Sequence, residues 1–253
     1  MNLGLAGRVA IVTGGSRGIG RAIAEVLAEE GCRLCLVARD EEGLRQAASG
    51  FGTDVITVAV DLTTPDGPDR IVEATRAQLG GIDILVNNTG ASLGGGLDDT
   101  DAETLEASFR VNVEAPFLLS KLVLPAMRET GFGRIVMLAS IYGREAGGKL
   151  AYNVTKASET SLVKALAREV AAYGVTVNSV APGSIRYPGG SWDRRVQADP
   201  EGMRRFVEQE LPVRRFGQSR EVANVVAFLC SEQASLVNGA SVVVDGGQGR
   251  SNI

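Results

Sequence analysis

The stretch RVAIVTGGSRGIG, Arg8 to Gly20, joins an apolar, β-branched run directly to a cluster of glycines. The run reads as a strand and the segment from Gly18 onward reads as a helix, so the glycines fall in a strand-to-helix turn. Glycines there permit a tight turn and close backbone approach, while the helix start offers unpaired N–H groups and a positive dipole end to a pyrophosphate. Gly14, Ser16, Arg17, Gly18, Ile19 and Gly20 are therefore the candidate phosphate-loop residues. The spacing Gly14, Gly18, Gly20 differs from the GxGxxG of longer dehydrogenases, and glycines that merely turn the chain are the lesser alternative in this strand-to-helix context.

Outward from that loop, short apolar runs alternate with helical stretches. Strands are predicted at 8–13, 33–38, 54–60, 82–87, 134–139, 175–180 and 241–245, and helices at 18–30, 67–79, 101–129, 151–172 and 219–231. Most of the strand runs are continuously apolar, as expected where both faces of a sheet are covered. The βαβα order implies an α/β single-domain Rossmann fold: a doubly wound, seven-stranded parallel sheet with helices on both faces and right-handed crossovers. Thr100 and Glu103 have the spacing of a capping box for the third helix. Nothing breaks 1–253 into two domains, and the one long interruption, 183–218, is a candidate substrate lid.

Composition narrows the function classes. With 44% hydrophobic and 22% charged residues the chain is that of a globular protein, and a net charge of −4 offers no general attraction for nucleic acid or an anionic membrane. No apolar run reaches the roughly 20 residues that span a bilayer, and MNLGLAGR is no secretory signal, so a cytoplasmic location is expected. The Asn-x-Thr triplets at Asn87 and Asn153 then carry no glycan. Cys32 and Cys35 formally make a CxxC, but within a strand residues three apart face opposite ways, which favours buried filling over redox chemistry. The chain has no histidine, and with its cysteines unclustered no metal site is expected.

The end of the second strand bears on which dinucleotide binds. An acidic residue there would accept the ribose 2′-hydroxyl of NAD(H). This chain has Ala38 and then Arg39, with Arg17 inside the glycine loop, and two guanidinium groups suit a 2′-phosphate. NADP(H) is favoured and NAD(H) is the alternative. Asp40 is placed to cap the next helix, or to bind a 2′-hydroxyl if the strand ends later. Asp61 and Leu62, after the third strand, are candidates to meet the adenine ring.

Without histidine, proton chemistry falls to other groups. Lys156 follows Tyr152 by four residues, one turn along the same helix face. An ammonium there, helped by the positive charge of an oxidised nicotinamide, favours phenolate and lowers the normally high pKa of tyrosine. Tyr152 could then take a proton from an alcohol or give one to a ketone during hydride transfer. Ser140 follows the fifth strand, at the sheet edge where open α/β proteins bind ligands, and its hydroxyl could hold the substrate oxygen. Asn112 is a polar residue in an apolar helical stretch; such residues are ordinarily exposed or bonded back to the helix.

Taken together, TGGSRGIG, NNTG at 87–90, Asn112, Ser140, YNVTK at 152–156, VNSVAPG at 177–183 and VDGG at 244–247 resemble the short-chain dehydrogenase/reductase family over essentially the whole chain. Within it, the nearest likeness is to bacterial 3-oxoacyl-acyl-carrier-protein reductases and their relatives acting on small alcohols and ketones. The resemblance implies a catalytic tetrad: Asn112 holding a relay water to Lys156, Ser140 orienting substrate, Tyr152 as acid and base, and Lys156 also contacting the nicotinamide ribose. It further implies that Asn88 and Gly90 support the cofactor site, that Pro182, Gly183 and Ile185 contact the cofactor, and that the protein is a homotetramer or homodimer through helices 101–129 and 151–172. Departures from the family pattern are NNTG for NNAG, a Ser140-to-Tyr152 spacing of twelve, and Tyr187 where a threonine is usual.

The substrate is less defined. Between 186 and 220 stand eight arginines and five acids, which could hold an anionic substrate through Arg186 or Arg194, or simply solvate a helical lid with Trp192 packed inside. The resemblance places acyl-carrier docking arginines near Thr130 and Tyr173, where this chain offers only Arg128 close by. A free small alcohol or carbonyl is therefore preferred to a carrier-borne one. A catalytically inactive dinucleotide-binding regulator is the reading from a different class; it would be expected to have lost Tyr152 or Lys156, and both are present.

Overall fold

A computed structural model of the chain describes residues 2–252. Seven parallel strands, β1 (Val9–Thr13), β2 (Arg33–Ala38), β3 (Val55–Ala59), β4 (Ile84–Asn87), β5 (Gly133–Leu138), β6 (Val175–Pro182) and β7 (Ser241–Val244), form one sheet in the order β3-β2-β1-β4-β5-β6-β7. The helices are α1 (Gly18–Glu29), α2 (Glu41–Ala48), α3 (Gly67–Leu79), α4 (Ala102–Phe109), α5 (Ala115–Thr130), α6 (Leu150–Val170), α7 (Ser191–Ala198), α8 (Pro200–Glu210) and α9 (Ser219–Cys230). This is the doubly wound Rossmann architecture. The chain reverses direction across the sheet between β1 and β4, which opens a crevice at their carboxyl ends.

Strand alternation explains the two-sided core. In β1, Ala10 and Val12 join a cluster with α1, α2 and α9, while Val9 and Ile11 join one with α3, α5 and α6. Cys32 lies in the first cluster and Cys35 in the second, on opposite sides as their spacing requires. Burial pushes their thiols up to about 12 and about 11, so neither is a ready nucleophile.

Several boundaries differ from the sequence reading, each for a local reason. The helix expected over 101–129 is interrupted by a π turn at Arg110–Glu114, which divides it into α4 and α5. Its cap is Asp101, whose carboxylate accepts from the Thr104 N–H at 2.8 Å; Thr100 instead bonds its hydroxyl to Gly95. A capping box does exist elsewhere, at Gln218 and Glu221 of α9. Asp40 stands at the N-cap position of α2 but makes no side-chain capping bond. Both Asn-x-Thr asparagines are structural: Asn87 is buried at the end of β4, and Asn153 donates to the Tyr142 and Glu145 carbonyls. The interruption 183–218 contains α7 and α8, held together by Trp192 stacked on Phe206 (4.8 Å between centroids) and tilted on Phe216 (5.4 Å). Among the described residues, no helix is long and apolar enough to cross a membrane.

Candidate active site

The glycine loop lies at the β1–β4 crevice and is shaped by close approach. A Cβ on Gly20 would collide with the Gly14 carbonyl and the Asn88 amide. That amide donates to the Thr13 carbonyl at 2.9 Å and the Gly14 carbonyl at 3.3 Å, while Thr13 Oγ1 accepts the N–H groups of Asn88 and Thr89. The end of β4 thus clamps the loop after β1. Thr13 has no place among the residues picked from sequence, because a hydroxyl at a strand end carries no local signature. Gly18 has φ +60, and a Cβ there would fall 2.8 Å from the ring of Tyr187. The aromatic ring in the usual threonine position therefore packs on the glycine loop itself.

At the far corner, Arg17 and Arg39 are exposed, and Arg39 makes only a loose 3.8 Å pair with Asp61. Asp61 spends its carboxylate on the N–H and hydroxyl of Thr63, which hold it below the usual carboxylate range. Asp40 folds back against Gly43, whose Cβ position is also 3.5 Å from Ser16. Leu62 is buried beneath this corner. The cradle, its amide clamp and two solvated guanidiniums fit a phosphorylated dinucleotide.

The groups picked for proton chemistry converge at the carboxyl ends of β4 and β5. Lys156 Nζ is buried, 5.6 Å from the Tyr152 ring centroid, and donates to the Leu138 carbonyl at 2.7 Å, two residues before Ser140. Burial alone would pull its pKa down, but the charges of Glu159 and Tyr152 outweigh that and hold it above the usual lysine value. Ser140 Oγ accepts from the Tyr142 N–H at 3.2 Å, leaving its own proton to donate elsewhere. Asn112 lies in the π turn and is fully buried, neither exposed nor bonded back along its helix. Its Oδ1 accepts from Ala91 N–H, and its amide donates to the Ala91 carbonyl and Thr155 Oγ1. A Cβ on Gly90 would stand 3.1 Å from Asn112 Oδ1 and 3.3 Å from Lys156 Nζ, so this glycine keeps the space between them open.

The remaining wall is formed after β6. Pro182 ends that strand, Gly183 packs against Asp245 and Gln248, and Ile185 makes a bridge to Gly217. The two arginines considered for an anionic substrate are engaged: Arg186 pairs with Asp193 at 3.0 Å, and Arg194 donates to the Gly189 carbonyl. A cavity of about 810 Å³ lies under α7 and α8, lined by Tyr187, Val196, Met203, Val207 and Phe216 among others, and no residue of the Ser140–Lys156 stretch borders it. The titratable groups meet instead at the β4–β5 edge, which is the candidate reacting centre. Glu159, paired with Lys156, was missed from sequence although an acid three residues after a lysine on one helix was visible.

This fold and site define an oxidoreductase that uses a nicotinamide dinucleotide and acts on CH–OH groups. A family model described as enoyl-(acyl carrier protein) reductase matches residues 14–248. The chain is 37% identical over 242 residues to the 3-oxoacyl-[acyl-carrier-protein] reductase of Escherichia coli, covering 95% of this chain and 97% of that protein. It is 36% identical over 248 residues to human dehydrogenase/reductase SDR family member 4, covering 96% and 88%. Among solved structures it superposes on L-sorbose reductase from Gluconobacter frateurii, complexed with NADPH and L-sorbose, with a TM-score of 0.93, 37% identity and coverage of 99% and 100%. The chain belongs to the short-chain dehydrogenase/reductase family.

Proposed function

We propose that the protein is an NADP(H)-dependent reductase or dehydrogenase of a free small ketone or alcohol. The observation that carries this reading is the buried Lys156 ammonium held beside Tyr152 at the β5 edge. Gly14, Ser16, Arg17, Gly18, Ile19 and Gly20 would cradle the pyrophosphate, and Arg39 with Arg17 the 2′-phosphate. Asp61 and Leu62 would border the adenine, and Asn88, Gly90, Pro182, Gly183 and Ile185 the nicotinamide side. When bound, the nicotinamide supplies hydride to the carbonyl carbon or takes it from the carbinol. Ser140 donates its free proton to the substrate oxygen and orients it. Tyr152 gives its phenolic proton to that oxygen in reduction and takes it back in oxidation. Lys156 favours the phenolate by its charge, and Asn112 orders the path that returns a proton to Tyr152. NADPH in the sorbose reductase complex supports the cofactor assignment.

Purified protein is mixed with NADPH or NADH and a panel of ketones, diketones and short 3-oxoacyl thioesters, and nicotinamide absorbance is followed. Turnover with NADPH that falls at least about 100-fold in Tyr152→Phe is expected. Undiminished turnover in that variant overturns the mechanism, and much faster turnover with NADH overturns the cofactor assignment.

Reduction of a carrier-borne 3-oxoacyl group is the second reading, favoured by the likeness to the Escherichia coli enzyme. Arg128, the arginine near the expected docking place, lies over the Tyr173 ring at 5.1 Å and is exposed there. Loss of acyl-carrier turnover in Arg128→Glu, with unchanged turnover of free ketones, would select it. Exposed Phe117, Leu150 and Val154 on α5 and α6 support a homotetramer or homodimer through those helices.

A further inference from the structure

Glu159 is a buried carboxylate that the proposed chemistry leaves without a task. It sits three residues after Lys156 on α6, and the two side chains are 3% and 4% exposed. Its Oε1 accepts from Lys156 Nζ at 2.7 Å. An ammonium has three N–H donors. Lys156 spends one on the Leu138 carbonyl and one on Glu159, so the third is left for the space beside Gly90 and Tyr152. Burying a carboxylate is costly, and replacing a buried ion pair as a whole by apolar side chains is often neutral or stabilising. The arrangement is thus poorly explained by stability.

We propose that Glu159 is a positioning residue, fixing both the direction and the net charge of the Lys156 ammonium against which Tyr152 works. This rests on the role of Tyr152 proposed above. Lys156 draws Tyr152 toward phenolate, and an ionised Glu159 cancels part of that pull. Burial, opposed by Lys156, lifts the Glu159 carboxyl to about 7. Near neutrality, then, acidification protonates Glu159, strengthens the net positive charge beside Tyr152 and keeps phenolate available to lower pH.

The surroundings leave Lys156 as the charge acting on Glu159, and Glu159 and Tyr152 as those acting on Lys156. From the elements packed on α6, β6 brings no titratable side chain. On β5, Arg134 is bonded to the Gly133, Gly174 and Ser231 carbonyls at the opposite strand end. In and after the turn that succeeds β5, Tyr142 and Arg144 are half-buried, with Arg144 bonded to the Ser241 carbonyl, and Glu145 accepts from the N–H groups of Arg250 and Ser251. Glu103 and Glu106 of α4, and Arg110 and Glu114 of the π turn, are exposed.

The test is an ultraviolet titration of tyrosinate on the NADP⁺-loaded protein, with Tyr152→Phe subtracted so that only Tyr152 is read. Glu159→Gln, made in both backgrounds, is expected to lower the Tyr152 pKa by about one unit and to move the pH profile of kcat for alcohol oxidation the same way. Glu159→Asp should fall between the two and recover part of the wild-type kcat. Superimposable titrations, or an upward shift, overturn the proposal. If Glu159→Gln does not fold, Glu159→Asp decides: a smaller downward shift supports the role and an unmoved titration ends it. Failure of the proposed function shows separately, as full activity in Tyr152→Phe.

Discussion

At the scale of single residues, geometry separates groups that sequence alone treats alike. Arg17 and Arg39 are both solvated, but Arg39 makes only a 3.8 Å contact with Asp61 and is free to re-pair with a phosphate. Arg39→Ala should raise the KM for NADPH about 10- to 100-fold, as expected for loss of a charge-assisted hydrogen bond, and change that for NADH little. Initial rates with both cofactors check it. Gly18, at φ +60 beneath the Tyr187 ring, admits no side chain without strain; Gly18→Ala should cost about 1–2 kcal/mol of stability, read by denaturant unfolding. Tyr152 and Lys156 could be proposed from the sequence because a phenol and an ammonium one helical turn apart suggest proton chemistry there. Thr13 and Thr155 were not, since each acts through a partner distant along the chain: Thr13 on Asn88, Thr155 on Asn112.

Among the elements, the π turn and the α9 cap show how local backbone serves the site and the fold. The turn at Arg110–Glu114 carries Asn112 buried and bonded across to Ala91 and Thr155, where a mid-helix asparagine is ordinarily exposed or bonded back along its own helix. Apolar periodicity over 101–129 did not reveal this, because a single inserted residue shifts the helix face without altering composition. At α9, the Arg215 guanidinium and the Gln218 N–H hold the Glu221 carboxyl down to about 2. A carboxyl depressed in the folded state stabilises fully above its ordinary value and loses that contribution as pH falls through the folded one. Glu221→Gln should therefore lower Tm by roughly 2–4 °C near neutrality, where a capping interaction is worth about 1 kcal/mol, and the gap should close between about pH 4.5 and 2. Thermal melts across that range measure it.

For the whole molecule, the proposed cradle couples cofactor to fold, because its residues follow β1, β2, β3, β4 and β6 and meet only in the assembled sheet. NADPH at about 100 times its Kd should stabilise the native state by about 2.7 kcal/mol and raise Tm by roughly 5–10 °C, more than NADH at equal concentration. A thermal-shift series gives the result directly. The sequence by itself determined the parallel seven-stranded sheet and the glycine loop, and it singled out the residues proposed for the proton chemistry. Those depend on local matters: continuous apolar runs, glycines at a strand end, and side chains one helical turn apart. Only the tertiary structure decided that Asn88 clamps the loop, that Tyr187 covers Gly18, that Arg186 is already paired, and that Glu159 shares the buried ammonium. Each of these is a contact or a burial. Desolvation and close approach exist only once the helices have closed over the sheet.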